Sequence, residues 1–442
     1  METTLAPPDK LQRVIGVRGL AAAVFNITIG AAIFVLPAHV AASLGAAAPL
    51  AYGVCVVATA LVALCIAEAG SRVAQSGGPY AFVQAAFGSY VGYLCGVLLW
   101  LGVTLAMAAV GTVLADALGT LVPAVSGTMP RAAVLVAMYA VLATVNARGA
   151  AWGSRLSGIS TLAKLLPLLA FVVLGLPHLQ AANLTITALP PLAKLGQSGL
   201  LLMFAFFGME SALQVSGEVI DPARVVPRAI ALALIAVGFL YVSVQLVAQG
   251  VLGPALAAPE TARAPLAVAA ATFAGSAGAR LILIGTILST FGFMTGMMLS
   301  TPRTLFALAS DGYLPRFLAA VHPTYRTPHV AIAIQGVIVC LIALTGTYVK
   351  LAIMADVAIL LVYLACCLGT WRLRRRHVVV EGGGAPFLMP GGAVVPWLAA
   401  ALIVGLLVPA TVQAWLLTGG VVAIASLGFL LKRPRGAGPA FP

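Results

Sequence analysis

Residues 26–37 read NITIGAAIFVLP. The run is apolar, yet Gly30, the β-branched isoleucines and the closing Pro37 make it hard to keep helical. Apolar sequence extends on both sides, so the weak point falls inside a hydrophobic segment. A second such point lies at residues 204–211, FAFFGMES, where Gly208 is flanked by aromatics and followed by Glu210 and Ser211. A helix broken at membrane depth exposes backbone groups, tolerable only against protein or a polar cavity. The freed N–H groups favour a carboxylate and the freed C=O groups an ammonium. A zwitterionic amino acid carries both.

The composition shows what surrounds these breaks. The chain has 442 residues, 62% hydrophobic and 8% charged, with a mean hydropathy of +1.10. A soluble domain carries about 25% charged residues, so a soluble fold is excluded. The apolar runs are continuous rather than alternating, which excludes a β-barrel. The expected fold class is an all-α polytopic membrane protein with 12 transmembrane helices. Their approximate limits are 18–41, 46–68, 88–112, 130–147, 157–176, 196–217, 228–251, 280–301, 328–346, 350–371, 394–412 and 414–431.

The net charge of +13 follows from this topology and not from nucleic-acid binding. With both termini inside, eighteen Lys and Arg residues fall on the cytoplasmic side and five outside, as the positive-inside rule requires. Lys164 belongs to neither group. It stands nine residues beyond the edge residue Arg155, roughly 13 Å into the membrane at 1.5 Å per residue. A lysine there costs at least about 2.5–3.5 kcal/mol on insertion scales, which marks it as functional. The sixth span follows the first by five positions, an odd offset, so the second broken unit runs inverted relative to the first.

Other classes find little support. No Walker-type loop is present, and the five His residues are scattered without metal-ligand spacing. The six Cys lie in apolar runs and read as small buried hydrophobes. The protein is therefore not expected to be an enzyme or to hold a metal or cofactor. Glu68 stands where the second span meets its loop, Asp116 and Asp356 read as boundary charges near span ends, and Trp100 as a packing residue.

Four long stretches resemble the amino acid permeases of the amino acid–polyamine–organocation superfamily. They are FNITIGAAIFVLPAHVAASLGAAAPLAYG from Phe25, AEAGSRVAQSGGPYAFVQAAFG at 67–88, FAFFGMESALQVSGEVIDPARVVPRAI at 204–230 and STPRTLFALASDGYLPRFLAAVHPTYRTPHVAI at 300–332. The first departs from the family's Gly-Ser-Gly-Ile-Phe core at Ala31 and Ala32, and the methyl group of Ala32 narrows the space for a carboxylate.

The resemblance implies a LeuT-like fold: a cytoplasmic segment 1–17, a first five-helix repeat 18–176, an inverted repeat 196–371, two additional helices 394–431 and a cytoplasmic tail 432–442. It implies a secondary active transporter of amino acids in the cell membrane, by symport or exchange; Lys164 points to proton coupling and the mostly apolar candidates to neutral amino acids. The alternatives are an exchanger or a carrier of polyamines or cationic amino acids. The implied substrate site comprises Ile27, Gly30, Ala31, Ala32, Ile33, Phe204, Phe207 and Gly208, with the carboxylate on the amides of 31–33. Lys164 and Glu210 are the coupling or pH-sensing residues that it suggests. Glu218, Asp221, Arg224 and Arg228 read as gate contacts. Ser289 and Thr290 lie where sodium-coupled relatives place hydroxyl ligands, but a lysine at 164 disfavours sodium. The expected partners are the amino acid, protons and membrane lipid, without nucleic acid, the protein being a monomer or homodimer.

Overall fold

The computed structural model describes residues 15–73, 79–148, 164–208, 219–378 and 386–431. Glu210, Glu218, Gly77 and Gly78 lie outside them. The described residues are overwhelmingly helical, and their β-type pairing is an isolated bridge between Ile15 and Val219.

The first apolar segment is divided into α1 (Val17–Thr28) and α2 (Ala32–Leu44), with Ile29 extended between them. Helices α3 (Ala48–Arg72), α4 (Pro79–Phe87), α5 (Ser89–Leu121) and α6 (Thr128–Arg148) follow. Next come α7 (Lys164–His178) and α8 (Leu192–Met203), the latter tightening into a 3₁₀ turn at Phe204–Phe206. The remaining helices are α9 (Pro222–Leu252), α10 (Pro265–Ser310), α11 (His329–Thr345), α12 (Tyr348–Arg375), α13 (Val394–Leu407) and α14 (Val412–Leu431). Proline opens α9 and α10, where its missing N–H would have had no intrahelical acceptor. Helix α10 turns sharply at Gly275 (φ 60°, ψ −157°), which separates a short opening helix from the long apolar one.

Seven of these helical runs are long and apolar enough to cross a membrane, and five shorter apolar helices accompany them. The protein is thus a polytopic, all-helical integral membrane protein. Several short runs have a clear cause. A broken span leaves halves such as the 12-residue α1, about 18 Å long at 1.5 Å per residue, against a hydrocarbon core of about 30 Å.

Burial sorts the helices into inner and outer. The most apolar window of α5 is 78% buried, whereas that of α14 is 17% buried. Helix α12 packs against α5, α3, α4 and α13 and forms the centre with α5. Closeness there depends on Gly102, because a Cβ at that position would lie 2.6 Å from Ile359 side-chain carbons. Exposed apolar side chains such as Leu166, Phe239, Leu416 and Ile424 face outward, as lipid contact requires.

Candidate functional site

The break between α1 and α2 frees backbone groups inside the buried helical core. The amides opening α2 have no intrahelical acceptor by position, and the helix dipole places partial positive charge there. The carbonyls ending α1 are taken up by side chains from three other helices. Lys164 Nζ, 7% exposed, donates to Asn26 O and, at 2.7 Å, to Ile29 O. Ser289 Oγ of α10 donates to Gly30 O at 3.4 Å. Thr290 instead bonds to carbonyls of its own helix.

Tyr241 of α9 joins this break to the second one. Its hydroxyl oxygen lies 3.0 Å from Thr28 O and 3.0 Å from Ala205 O. A phenol has one proton, so that proton is shared between the two broken helices. After the 3₁₀ turn, Phe207 is extended (φ −69°, ψ 153°) and Gly208 adopts φ +108°. A Cβ on Gly208 would stand 2.8 Å from Ile27 Cγ2 and 3.5 Å from the Ile27 carbonyl atoms. Glycine is required here twice over, by its dihedral and by the close approach. Gly30 is different: a Cβ there would meet only Phe293, at 3.8 Å.

The two breaks border one cavity of about 60 Å³. Ile27, Gly30, Ala31, Ala32, Phe204, Phe207 and Gly208 line it; Ile33, fully buried, does not. The remaining wall comes from Thr28, from Gly102, Val103, Ala106 and Val110 of α5, from Phe293 and Met297 of α10, and from Ile359 of α12. Phe207 stands against Phe204 and Tyr363, with ring centroids 6.1 and 5.8 Å apart. The cavity is thus mostly apolar, with backbone ends at its polar side.

The other charged candidates separate into distinct groups. Asp221 and Arg224 form a local, exposed pair at 3.7 Å, and Arg228 is exposed, so these three are not drawn into one contact across helices. Glu68 is fully buried. Arg72 donates to its Oε1 at 2.8 and 3.0 Å, the Met389 amide donates to its Oε2 at 3.0 Å, and Arg374 lies 3.7 Å away. This cluster ties the ends of α3 and α12 to the segment before α13. Asp116 pairs with Arg131 at 2.8 Å. Trp100 Nε1 donates to Gln335 Oε1 at 2.8 Å. Asp356 lies well inside α12, fully buried, rather than at a boundary.

A family model described as amino acid permease matches residues 15–427. The chain belongs to that family. The permease is 28% identical to the serine/threonine exchanger of Bacillus subtilis (strain 168), the match covering 83% of this chain and 84% of the exchanger. It is 33% identical to an uncharacterized transporter of Mycobacterium tuberculosis (strain H37Rv), over 77% of this chain and 75% of that one. The branched-chain amino acid permease of B. subtilis is 27% identical, over 88% and 86%.

Sequence reasoning missed Tyr241 and the cavity walls supplied by α5, α10 and α12. Apolar residues in uniformly apolar helices carry no periodic signal that says which face looks inward. Tyr241 carried a usable signal, a hydroxyl deep in an apolar run, because buried tyrosines find hydrogen-bond partners.

Proposed function

We propose that the permease is a secondary active transporter of amino acids, working in the cell membrane with both termini cytoplasmic. Its twelve spans form two inverted five-helix repeats followed by two further helices. The observation that carries the reading is the convergence on one cavity of the break between α1 and α2, which offers amides and carbonyls, and the end of α8, which offers carbonyls. The substrate carboxylate sits on the amides opening α2, beside Ala31 and Ala32. The ammonium meets the carbonyls of Ile27 and Phe204, because the neighbouring carbonyls are engaged by Lys164, Tyr241 and Ser289. The apolar wall from α5, Phe293 and Met297 favours a neutral side chain. Phe207 closes over the bound molecule.

Coupling is independent of sodium. The Lys164 ammonium lies on the carbonyls of Asn26 and Ile29, where a cation would otherwise be held. Losing and regaining a proton at Lys164 releases and restores the first break, which gives proton-coupled symport. Glu210 serves as a pH-sensing residue beside the second break. Asp221, Arg224, Arg228 and Glu218 act at the cytoplasmic gate in conformations other than this one. The similarity to a serine/threonine exchanger supports a second reading, obligate exchange with Lys164 permanently charged.

The test is uptake by proteoliposomes of labelled neutral amino acids under an inward proton gradient, with and without sodium. Symport predicts stimulation by the gradient without sodium, lost in Lys164→Ala. Exchange predicts uptake only with unlabelled amino acid inside. Sodium-dependent uptake that ignores pH would refute the role given to Lys164. A panel with neither uptake nor exchange would refute amino acid transport.

A further inference from the structure

Two carboxylates are fully buried among the described residues, and they differ in one respect. Glu68 is surrounded by donors, two of them arginines. Asp356 has no hydrogen-bond partner among the described residues at either carboxylate oxygen. Isolating an ionised carboxylate in this way is far more costly than leaving a neutral group unpaired. Cys55 of α3 and Tyr348 of its own helix interact electrostatically with Asp356, and neither supplies positive charge. Tyr52 of α3 and Tyr241 of α9 interact with Tyr348 in turn. His39 of α2 stacks on the Tyr348 ring at 6.3 Å and donates nothing to Asp356. Two further buried polar atoms of this region, Tyr348 Oη and Gln245 Nε2, also lack partners.

The place of Asp356 in the fold connects it to the cavity. It stands one turn before Ile359, which lines the cavity and packs on Gly102 of α5. The rings flanking it on α12 touch the second break: Tyr348 contacts Phe204 at 5.7 Å, and Tyr363 contacts Phe207 at 5.8 Å. A bare charge at 356 would therefore disturb the wall that holds Phe204 and Phe207 of that break.

We propose that Asp356 is a proton-binding site of the transport cycle, separate from Lys164, and that the packing seen here is its proton-loaded state. The proton adds to a carboxylate oxygen, converting COO⁻ to COOH, and leaves to water when α12 parts from α3. Release requires solvation of the carboxylate, and solvation requires opening of this wall. Proton occupancy and conformation are thereby linked, since a ligand shifts an equilibrium by its differential affinity for the two states. The place of this step in a transport cycle rests on the function proposed above. Proton binding itself does not, so it is measured without transport.

The experiment is infrared spectroscopy of the purified full chain in lipid nanodiscs, titrated from about pH 5 to about pH 8. A carbonyl band of a protonated carboxylic acid is expected at neutral pH in the wild type and in Lys164→Ala, and not in Asp356→Asn. An ionised Asp356 at neutral pH, or a band unchanged in Asp356→Asn, overturns the proposal, and a band shift on adding sodium chloride would assign a metal cation instead. If Asp356→Asn does not fold, Asp356→Glu decides: its band must persist at a displaced frequency, and an undisplaced band overturns the assignment. In proteoliposomes, amino acid counterflow should change at least about threefold across that pH range in the wild type and by a smaller factor in Asp356→Asn, where Lys164 and Glu210 still respond to pH. Equal pH profiles remove the site from the transport cycle. Loss of counterflow in the wild type with the band intact would refute the function and spare the proton site.

Discussion

Replacing Gly208 by alanine tests the contact between the two breaks. The added Cβ would lie 2.8 Å from Ile27 Cγ2, against an optimal carbon separation of about 3.5–4.0 Å. One break must move away from the other by roughly 1 Å, and overpacking of this kind costs about 1–3 kcal/mol. The dihedral of +108° adds a second cost of about 1–3 kcal/mol for a residue with a side chain. A combined loss of about 2–6 kcal/mol in the packed conformation corresponds to a fall in substrate affinity of at least about 30-fold. The assay is calorimetric titration of the purified protein with the amino acid that gives the strongest uptake, alongside thermal unfolding. The double variant Gly208→Ala with Ile27→Ala separates the two costs. Removing Ile27 Cγ2 relieves the clash and leaves the dihedral strain, so the pair should show a coupling of about 1 kcal/mol or more. Wild-type affinity and melting temperature in Gly208→Ala would refute the account of the meeting point.

Tyr241→Phe leaves Thr28 O and Ala205 O without their shared donor and should destabilise the fold by about 1–2 kcal/mol, read as a lower melting temperature. Arg72→Leu strands Glu68 beside a single more distant arginine and should cost about 3–5 kcal/mol, part of which returns in the double variant with Glu68→Gln. Arg224→Ala removes an exposed pair and should stay within about 0.5 kcal/mol of wild type. Gly30→Ala should fold normally, since its Cβ has room beside Phe293, while lowering affinity for the bulkier amino acids that the wild type accepts.

Part of this architecture could be read from residue order. The two breaks were legible because glycine among large apolar residues violates what a plain membrane helix needs. Lys164 was legible as a lone lysine in an otherwise apolar run. Neither argument depends on how helices pack. The cavity's far wall does depend on packing: Val103, Ala106 and Ile359 look like any other lipid-facing or core residue until α5 and α12 are brought together. Asp356 resembled an end charge because it stands in the first third of its span, although the folded helix buries it completely. Glycines 30 and 208 look equivalent in sequence and are not, since only the latter has a positive φ and a neighbouring helix that a Cβ would overlap.

The cluster around Glu68 has a consequence for how the chain is made. The Met389 amide that completes the carboxylate's coordination lies 321 residues further along. At about 5–20 residues per second, roughly 15–60 seconds of synthesis separate the two. During that interval α3 enters the membrane with an acidic residue near its end and none of its distant partners made. Arg72, one helical turn on, is synthesised almost at once and neutralises the charge. The i,i+4 pair thus acts as an insertion chaperone encoded in the helix itself, and Arg374 and Met389 replace the missing solvent only when the last third of the chain docks. Arg72 variants should consequently show their defect first as degradation of nascent protein, before any loss of activity in the molecules that survive.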